Sequence, residues 1–550
     1  MARPVSLEHI PANDLIADVA IVGSGPAGLF LAHSLRVTGL RVLLIETGSE
    51  GAATPDVRAL SPGTNEHRFS PAASEGNRIR QLGGNANAWG LQRRDGTTGV
   101  RMVELDDIDF QSRPATGAQS WPFSKSHLQP WYDRAADLLG MRHFGAFPDD
   151  AGIQTERLTT RFAQIPPVTS VLHDPLAEIV AAPSVTIVTD ATMLGAAVEE
   201  GPSPRVASIE IGSLRGARRT VRAGVFVLAC GGFENPRQLL LMPRVAGTGL
   251  ASDCLGRYLM EHPMDSSDFL ESVPVRRDSS AFAADLDMQS GGPADHIGYV
   301  TLRPEVLLSE DSYGMSTWLF PRPHRWDPLE GEFAIRFLAG RGVPPTYPAR
   351  LVGRSAKLRA AGRLVARPGG ALYWTTKGKI GGRPIDVHIN QGGWPAAGKD
   401  RFRFYNLTRI IEQGPSRANQ VTLSHDRDAF GLPRTHVVWT WTPFDIDRTL
   451  RTKHIVNTEL NRLGIGTVID RTLDHAVPGA AHVLGTTRMS ERPADGTVDP
   501  DGRVHGVANL YVAGSSVFTV GGWANPTFTI IALALRMADH LAARGRSSGV

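Results

Sequence analysis

Only two cysteines, Cys230 and Cys254, occur in 550 residues. That is too few for a disulfide framework, and it fits a reducing compartment. Two thiols cannot form a thiolate metal centre, and the 17 histidines contain no H-E-x-x-H pattern, so no metal is expected. A G-x-S-x-G nucleophile elbow is also missing. No apolar run approaches the length of a membrane span, and the opening MARPVSLEHIPANDLIAD lacks the apolar centre of a leader. A cytoplasmic chain with no membrane span is expected. A net charge of +3, with lysines and arginines dispersed, gives no footprint for nucleic acid. The hydrophobic (41%) and charged (21%) fractions are those of an ordinary globular protein, and the length implies more than one substructure.

What is present begins with residues 17–50, ADVAIVGSGPAGLFLAHSLRVTGLRVLLIETGSE. A short apolar strand ends in Gly23, Gly25 and Gly28, the pattern G-x-G-x-x-G, followed by an apolar helix over residues 27–37 and a strand over residues 42–45. Gly23 permits the tight turn, Gly25 lets backbone approach a pyrophosphate, and Gly28 lets helix and strand pack closely. Glu46 closes the second strand 18 positions after Gly28, where a carboxylate accepts ribose hydroxyls and repels a 2′-phosphate. Dinucleotide binding follows. The motif does not separate FAD from NAD.

Along the rest of the chain, residues 48–74 read as a Gly-, Ser- and Pro-rich excursion loop. In NRIRQLGGNANAWGLQRR, Gly83, Gly84, Asn85 and Asn87 form a second close-approach loop, and Trp89 needs something to cover, which favours a cofactor or substrate loop. Ser124 caps a helix reaching about residue 139. Short strands are predicted at residues 185–188, 196–198 and 218–223. Another, VFVLA at residues 225–229, runs into Cys230, Gly231 and Gly232, with a helix over residues 237–242. Cys230 reads as a small buried residue, since no histidine adjoins it. Strand-like runs at residues 298–302, 315–320, 371–375, 385–389 and 437–441 alternate with turns, as in an antiparallel sheet. The basic stretch 350–367 reads as a solvated helix or lid. Near the end, residues 509–512 form a buried strand leading to Gly514, and Asn525 and Pro526 open an apolar helix reaching about residue 543.

With no metal or nucleophile motif, a redox cofactor must carry the difficult step, and the protein supplies a base and electrostatics. His482, in a glycine turn, is the best base candidate, matched by its ordinary pKa to taking an alcohol proton near neutrality. A structural histidine is the other reading of it. Asn525 either caps the last helix or points its amide at the substrate.

Together these blocks resemble the glucose–methanol–choline (GMC) family of FAD oxidoreductases. The resemblance runs from VAIVGSGPAG and Glu46 through LGGNANAWG, SWPFSKSHLQPWYDRA, VLACGGFENPRQLLL and LGRYLMEHP. It continues in EQGPSRANQVTLSHDRDAFGLPR, HVLGTTRMS, RVHGVANLYVAGSSVF and ANPTFTIIALALRMAD, leaving about 265–399 unmatched. It implies an α/β plus α+β fold. A discontinuous Rossmann-like FAD-binding domain would comprise residues 15–110, 180–264 and 480–545. A substrate domain on a mainly antiparallel sheet would comprise residues 111–179 and 265–479. It also implies hydride transfer from a substrate carbon to flavin N5, with His482 and Asn525 as the catalytic pair. Gly23, Gly25, Gly28, Glu46, Gly84 and Asn85 would hold FAD, with Trp89, Gly514 and Thr527 beside it and the Met193 backbone at the adenine. Asparagine at position 525 and glycine at 514 resemble the pyranose 2-oxidase-like members. Ala88 stands where those members carry the histidine bonded to flavin, so non-covalent FAD is implied. The expected substrate is a small-molecule alcohol, with a sugar, glycoside or aminoglycoside-type hydroxyl favoured. The alternatives are a sterol or other bulky alcohol, or cleavage of the hydroxynitrile-lyase type. Oxygen or another acceptor would take the electrons.

Overall fold

The computed structural model describes residues 4–67, 78–113, 117, 119–276, 285–290, 292–322, 338, 361–362, 365, 379–380, 383–384, 401–470, 477–478 and 481–548. The opening strand Leu15–Val22 lies between Val42–Ile45 and Arg218–Leu228, parallel to both. Covered on both faces, these strands read as near-continuous apolar runs rather than alternating ones. Val185–Thr189 extends the sheet on the side of Val42–Ile45. On the far edge of Arg218–Leu228, Leu510–Val512 pairs parallel with residues 226–228, and Arg205–Gly212 pairs antiparallel with residues 218–221. The late strand therefore completes the sheet that the early one begins. Helix Pro26–Leu35, almost wholly buried, packs against Asp174–Ala181 and the C-terminal helix Thr527–Ser548.

The second large sheet is antiparallel throughout. Leu158–Ile165 and Met315–Arg322 both pair with Asp295–Leu302, and the sheet continues through Arg401–Ile411 and Pro263–Arg276 to Gly466–Ile469. Helix Pro443–Arg462 packs on it over a core that includes Leu407, Val456 and Leu460. FAD-binding Rossmann-like sheet and mainly antiparallel substrate sheet together make the α/β plus α+β architecture. The expected strands at 371–375 and 385–389, and most of the basic stretch 350–367, lie outside the described residues.

Several expectations change. Residues 48–74 are not all loop: Pro55–Arg58 is a helical turn, and Thr64–His67 pairs parallel with Pro433–Trp439 in a third, three-stranded sheet. The two strands expected at 218–223 and 225–229 are one, Arg218–Leu228, because Gly224 continues the extended backbone. The following helix begins at Gly231, six residues early, with Pro236 inside it, and the Gly232 carbonyl four residues before Pro236 accepts from Thr486 Oγ1 at 2.6 Å. Helix Lys125–Leu138, capped by Ser124 as expected, packs against the C-terminal helix Thr527–Ser548. It joins the C-terminal helix through Tyr132 Oη to Thr529 Oγ1 (2.7 Å) and Trp131 Nε1 to Asp539 Oδ2 (2.9 Å).

Candidate active site

A cavity of about 640 Å³ opens where the first sheet meets the second, and its walls come from both ends of the chain. Gly23, Gly25 and Glu46 come from the early strands and their turn, and His482 and Asn525 from the late segments. Gly23, at φ +102°, faces the Ala229 carbonyl, and a Cβ there would lie 2.6 Å from that oxygen. A Cβ on Gly28 would lie 1.9 Å from the Gly23 carbonyl oxygen, so Gly28 serves packing and does not line the cavity. Gly25 differs. A Cβ there meets nothing within 4 Å, so its bare backbone borders open space at the N-terminus of Pro26–Leu35, where N–H groups and the dipole favour phosphate.

Ser24 ties this turn to its neighbours. Its N–H and hydroxyl donate to Glu46 Oε2 at 3.0 and 2.7 Å, while its oxygen accepts from the Gly83 N–H at 3.1 Å. Glu46 Oε1 accepts one bond, from the Gly48 N–H at 3.0 Å, leaving acceptor capacity toward the cavity for a ribose hydroxyl. Burial raises the Glu46 pKa, and the Gly48 and Ser24 donors oppose the rise. Gly84, at φ +56°, approaches Gly25 so closely that a Cβ would lie 2.9 Å from its Cα. Asn85 Oδ1 accepts the Ile79 N–H at 2.9 Å, and Asn85, Trp89, Gly514 and Thr527 all border the cavity. These features fit FAD: a bare-backbone cradle, a carboxylate at the strand end, and a cavity continuing to a reactive pair. Ala88 on the wall has no group to bond the ring. Cys230, also on the wall, donates to the Val22 carbonyl at 3.1 Å, and burial pushes its pKa up to about 12.

Met193 lies within Thr192–Glu199 with its carbonyl 3.5 Å from Gln238 Nε2, and Ala191, just before the strand, lines the cavity.

His482 and Asn525 meet on the cavity wall, with Nε2 of the ring 3.2 Å from Nδ2 of the amide. Asn525 reaches this point because Pro526 starts the helical ladder, its carbonyl accepting the Ile530 N–H at 2.9 Å. Behind them stand two residues to which sequence reasoning gave no role. His262 Nδ1 lies 2.8 Å from His482 Nδ1, and Glu261 Oε1 accepts the backbone N–H of His262 (3.0 Å) and of His482 (2.6 Å). The only available signal was their adjacency in MEHP. Ala481, just before the base, sits at φ +58°, a conformation side-chain-bearing residues seldom adopt. Burial drives the His482 pKa well below its ordinary value, helped by His262 and Arg101. Burial takes His262 down to about 4 and Glu261 up to about 7. Both histidines therefore favour their neutral forms near neutrality, and His482 is ready to accept a proton.

The site and fold define an FAD-dependent oxidoreductase. A family model described as GMC oxidoreductase matches residues 415–534, and one described as FAD binding domain matches residues 16–67. The 2-methyl-1,2-propanediol dehydrogenase of Mycolicibacterium austroafricanum is 24% identical, covering 96% of this chain and 95% of that protein. The C-glycoside 3-oxidase of Microbacterium trichothecenolyticum is 25% identical with 96% of each covered. A solved structure of Aspergillus oryzae formate oxidase covers 98% of this chain and 100% of its own at TM-score 0.51 and 17% identity, a likeness of fold. The chain belongs to the GMC flavoprotein oxidoreductase superfamily. It binds FAD non-covalently and oxidises a CH–OH group to a carbonyl. Among the described residues no helix is long and apolar enough to cross a membrane.

Proposed function

We propose that the substrate hydroxyl belongs to a sugar, glycoside or aminoglycoside-type molecule, and that His482 Nε2 takes its proton. The observation that carries this is the 3.2 Å pairing of His482 Nε2 with the Asn525 amide on the cavity wall. An alcohol oxygen bridging the two donates its proton to the imidazole and accepts from the amide, which holds the reacting carbon in one orientation. FAD supplies the acceptor for the hydride that leaves this carbon. Proton removal by His482 raises the electron density that expels the hydride. The N-terminus of the last helix, with Pro526 and Thr527 at the cavity, supplies a positive dipole end for negative charge that develops there. Wall residues Met264 and Ile410 come from the antiparallel sheet and close the cavity from that side.

The choice of a polyhydroxylated substrate is supported by end-to-end similarity to one protein named for a glycoside and another named for a diol. The test is anaerobic mixing of the FAD-loaded protein with a panel of sugars, glycosides and sterols, followed by flavin absorbance. Bleaching by sugars or glycosides is expected. Bleaching by sterols alone refutes the substrate class, and bleaching by no alcohol refutes oxidation.

A further inference from the structure

Three arginines line this cavity. Arg78 and Arg80 both meet Glu234, at 2.9 and 3.1 Å. Arg101, half-buried, is the third. Residues 99–102 run beside the end of Leu158–Ile165, with Met102 exchanging backbone bonds with Gln164 at 2.8 and 3.0 Å. Val100 and Met102 are buried, and Arg101 between them lines the cavity that holds His482. Its guanidinium carbon lies 4.2 Å from the centre of the Trp318 ring. That ring is fixed by Nε1 donating to Ser316 Oγ at 3.0 Å and by Tyr299 at 4.8 Å. Among the described residues no carboxylate pairs with Arg101, and its Nε is buried without an acceptor.

A guanidinium with its Nε shut off from water and no anion beside it is unfavourable unless a ligand completes it. Burial lowers its pKa only to about 10, so it stays cationic at neutral pH. Contact with the Trp318 face holds the guanidinium in place, and its fork of N–H groups suits two parallel hydrogen bonds to a carboxylate. The same charge opposes a cationic ligand.

We propose that Arg101 receives a carboxylate carried by the substrate, so that the alcohol oxidised here belongs to a sugar acid or a smaller hydroxy acid. This rests on the reading of His482 and Asn525 as the alcohol site, and it narrows the substrate range away from aminoglycoside-type molecules.

The experiment is anaerobic titration of the FAD-loaded protein with matched pairs, read by perturbation and by reduction of the flavin spectrum. The pairs are glucuronate with glucose, gluconate with glucitol, and mandelate with benzyl alcohol. In at least one pair the acid should bind at least about tenfold more tightly than its neutral partner. Arg101→Gln should abolish that preference, and Arg101→Lys should retain part of it, with FAD content and flavin reduction potential unchanged. No preference for any acid overturns the proposal. So does an Arg101→Gln variant that keeps the preference, or one that shifts the flavin potential while affinities hold, which would assign the guanidinium to the flavin. Reduction by neutral alcohols without acid preference sinks only the anion site. Arg101-dependent acid binding with no reduction by any alcohol sinks only the oxidation reading.

Discussion

Nδ1 of His262 and Nδ1 of His482 face each other at 2.8 Å, their rings nearly perpendicular at 85°. One proton lies between them, and the Asn525 amide decides whose it is. That amide donates to His482 Nε2, so the lone pair sits on Nε2 and the His482 proton on Nδ1. His262 must then accept at Nδ1 and carry its own proton on Nε2. The pair thus fixes the tautomer whose free nitrogen faces the cavity.

Removing the imidazole should stop proton transfer without emptying the cofactor site. His482→Ala is expected to slow anaerobic flavin reduction by about two orders of magnitude or more, with FAD content unchanged. Stopped-flow reduction at the native rate would exclude His482 as the base.

His262→Phe should keep the buried ring shape but lose the acceptor at Nδ1. We expect reduction to fall about tenfold as His482 loses its fixed tautomer. His262 also lowers the His482 pKa, so its loss should raise that pKa. In the native protein, activity is expected to hold above pH 6.5 and to fall only at lower pH, because burial keeps His482 from protonating until well below its ordinary value. In the variant the acid limb should move upward. A pH–rate profile with an unmoved limb would reduce His262 to packing.

Glu261 gives a stability test. Its folded pKa of about 7 lies above the ordinary 4.5, so the favourable neutral carboxyl contributes fully below pH 4.5 and is lost as pH rises toward 7. Glu261→Gln keeps an acceptor for both backbone N–H groups and cannot ionise. Its thermal midpoint relative to the native protein should therefore rise between pH 5 and 8, with an upper bound of about 3 kcal/mol. A constant difference across that range would mean that Glu261 does not titrate there.

Gly25 and Gly28 should separate cofactor binding from folding. Gly28→Ala drives a methyl into the Gly23 carbonyl and should destabilise the apoprotein by on the order of 3 kcal/mol. Gly25→Ala meets no protein atom and should leave apoprotein melting unchanged while weakening FAD binding at least about tenfold. Equal melting losses in both would remove Gly25 from the phosphate cradle.

Much of the cofactor end was legible because it is local: glycines, helix and Glu46 fall within thirty residues, and each is explained by its neighbours. His482 and Asn525 were legible through the resemblance, their contact spanning 43 positions. What escaped depends on distant partners. Thr64–His67 becomes a strand only by pairing with residues 436–439. His262 gains meaning from a ring 220 positions away. Arg101 stood out only once Arg78 and Arg80, the other arginines on the cavity wall, had found Glu234.

Leu510–Val512 lies against Arg218–Leu228, and the wall from Gly514 to Ile530 faces the turn at Gly23. A nascent polypeptide emerging from the ribosome therefore carries only half of a nucleotide pocket until these last segments arrive. Flavin capture belongs to the finished fold, and a cell short of the vitamin should accumulate complete but colourless protein.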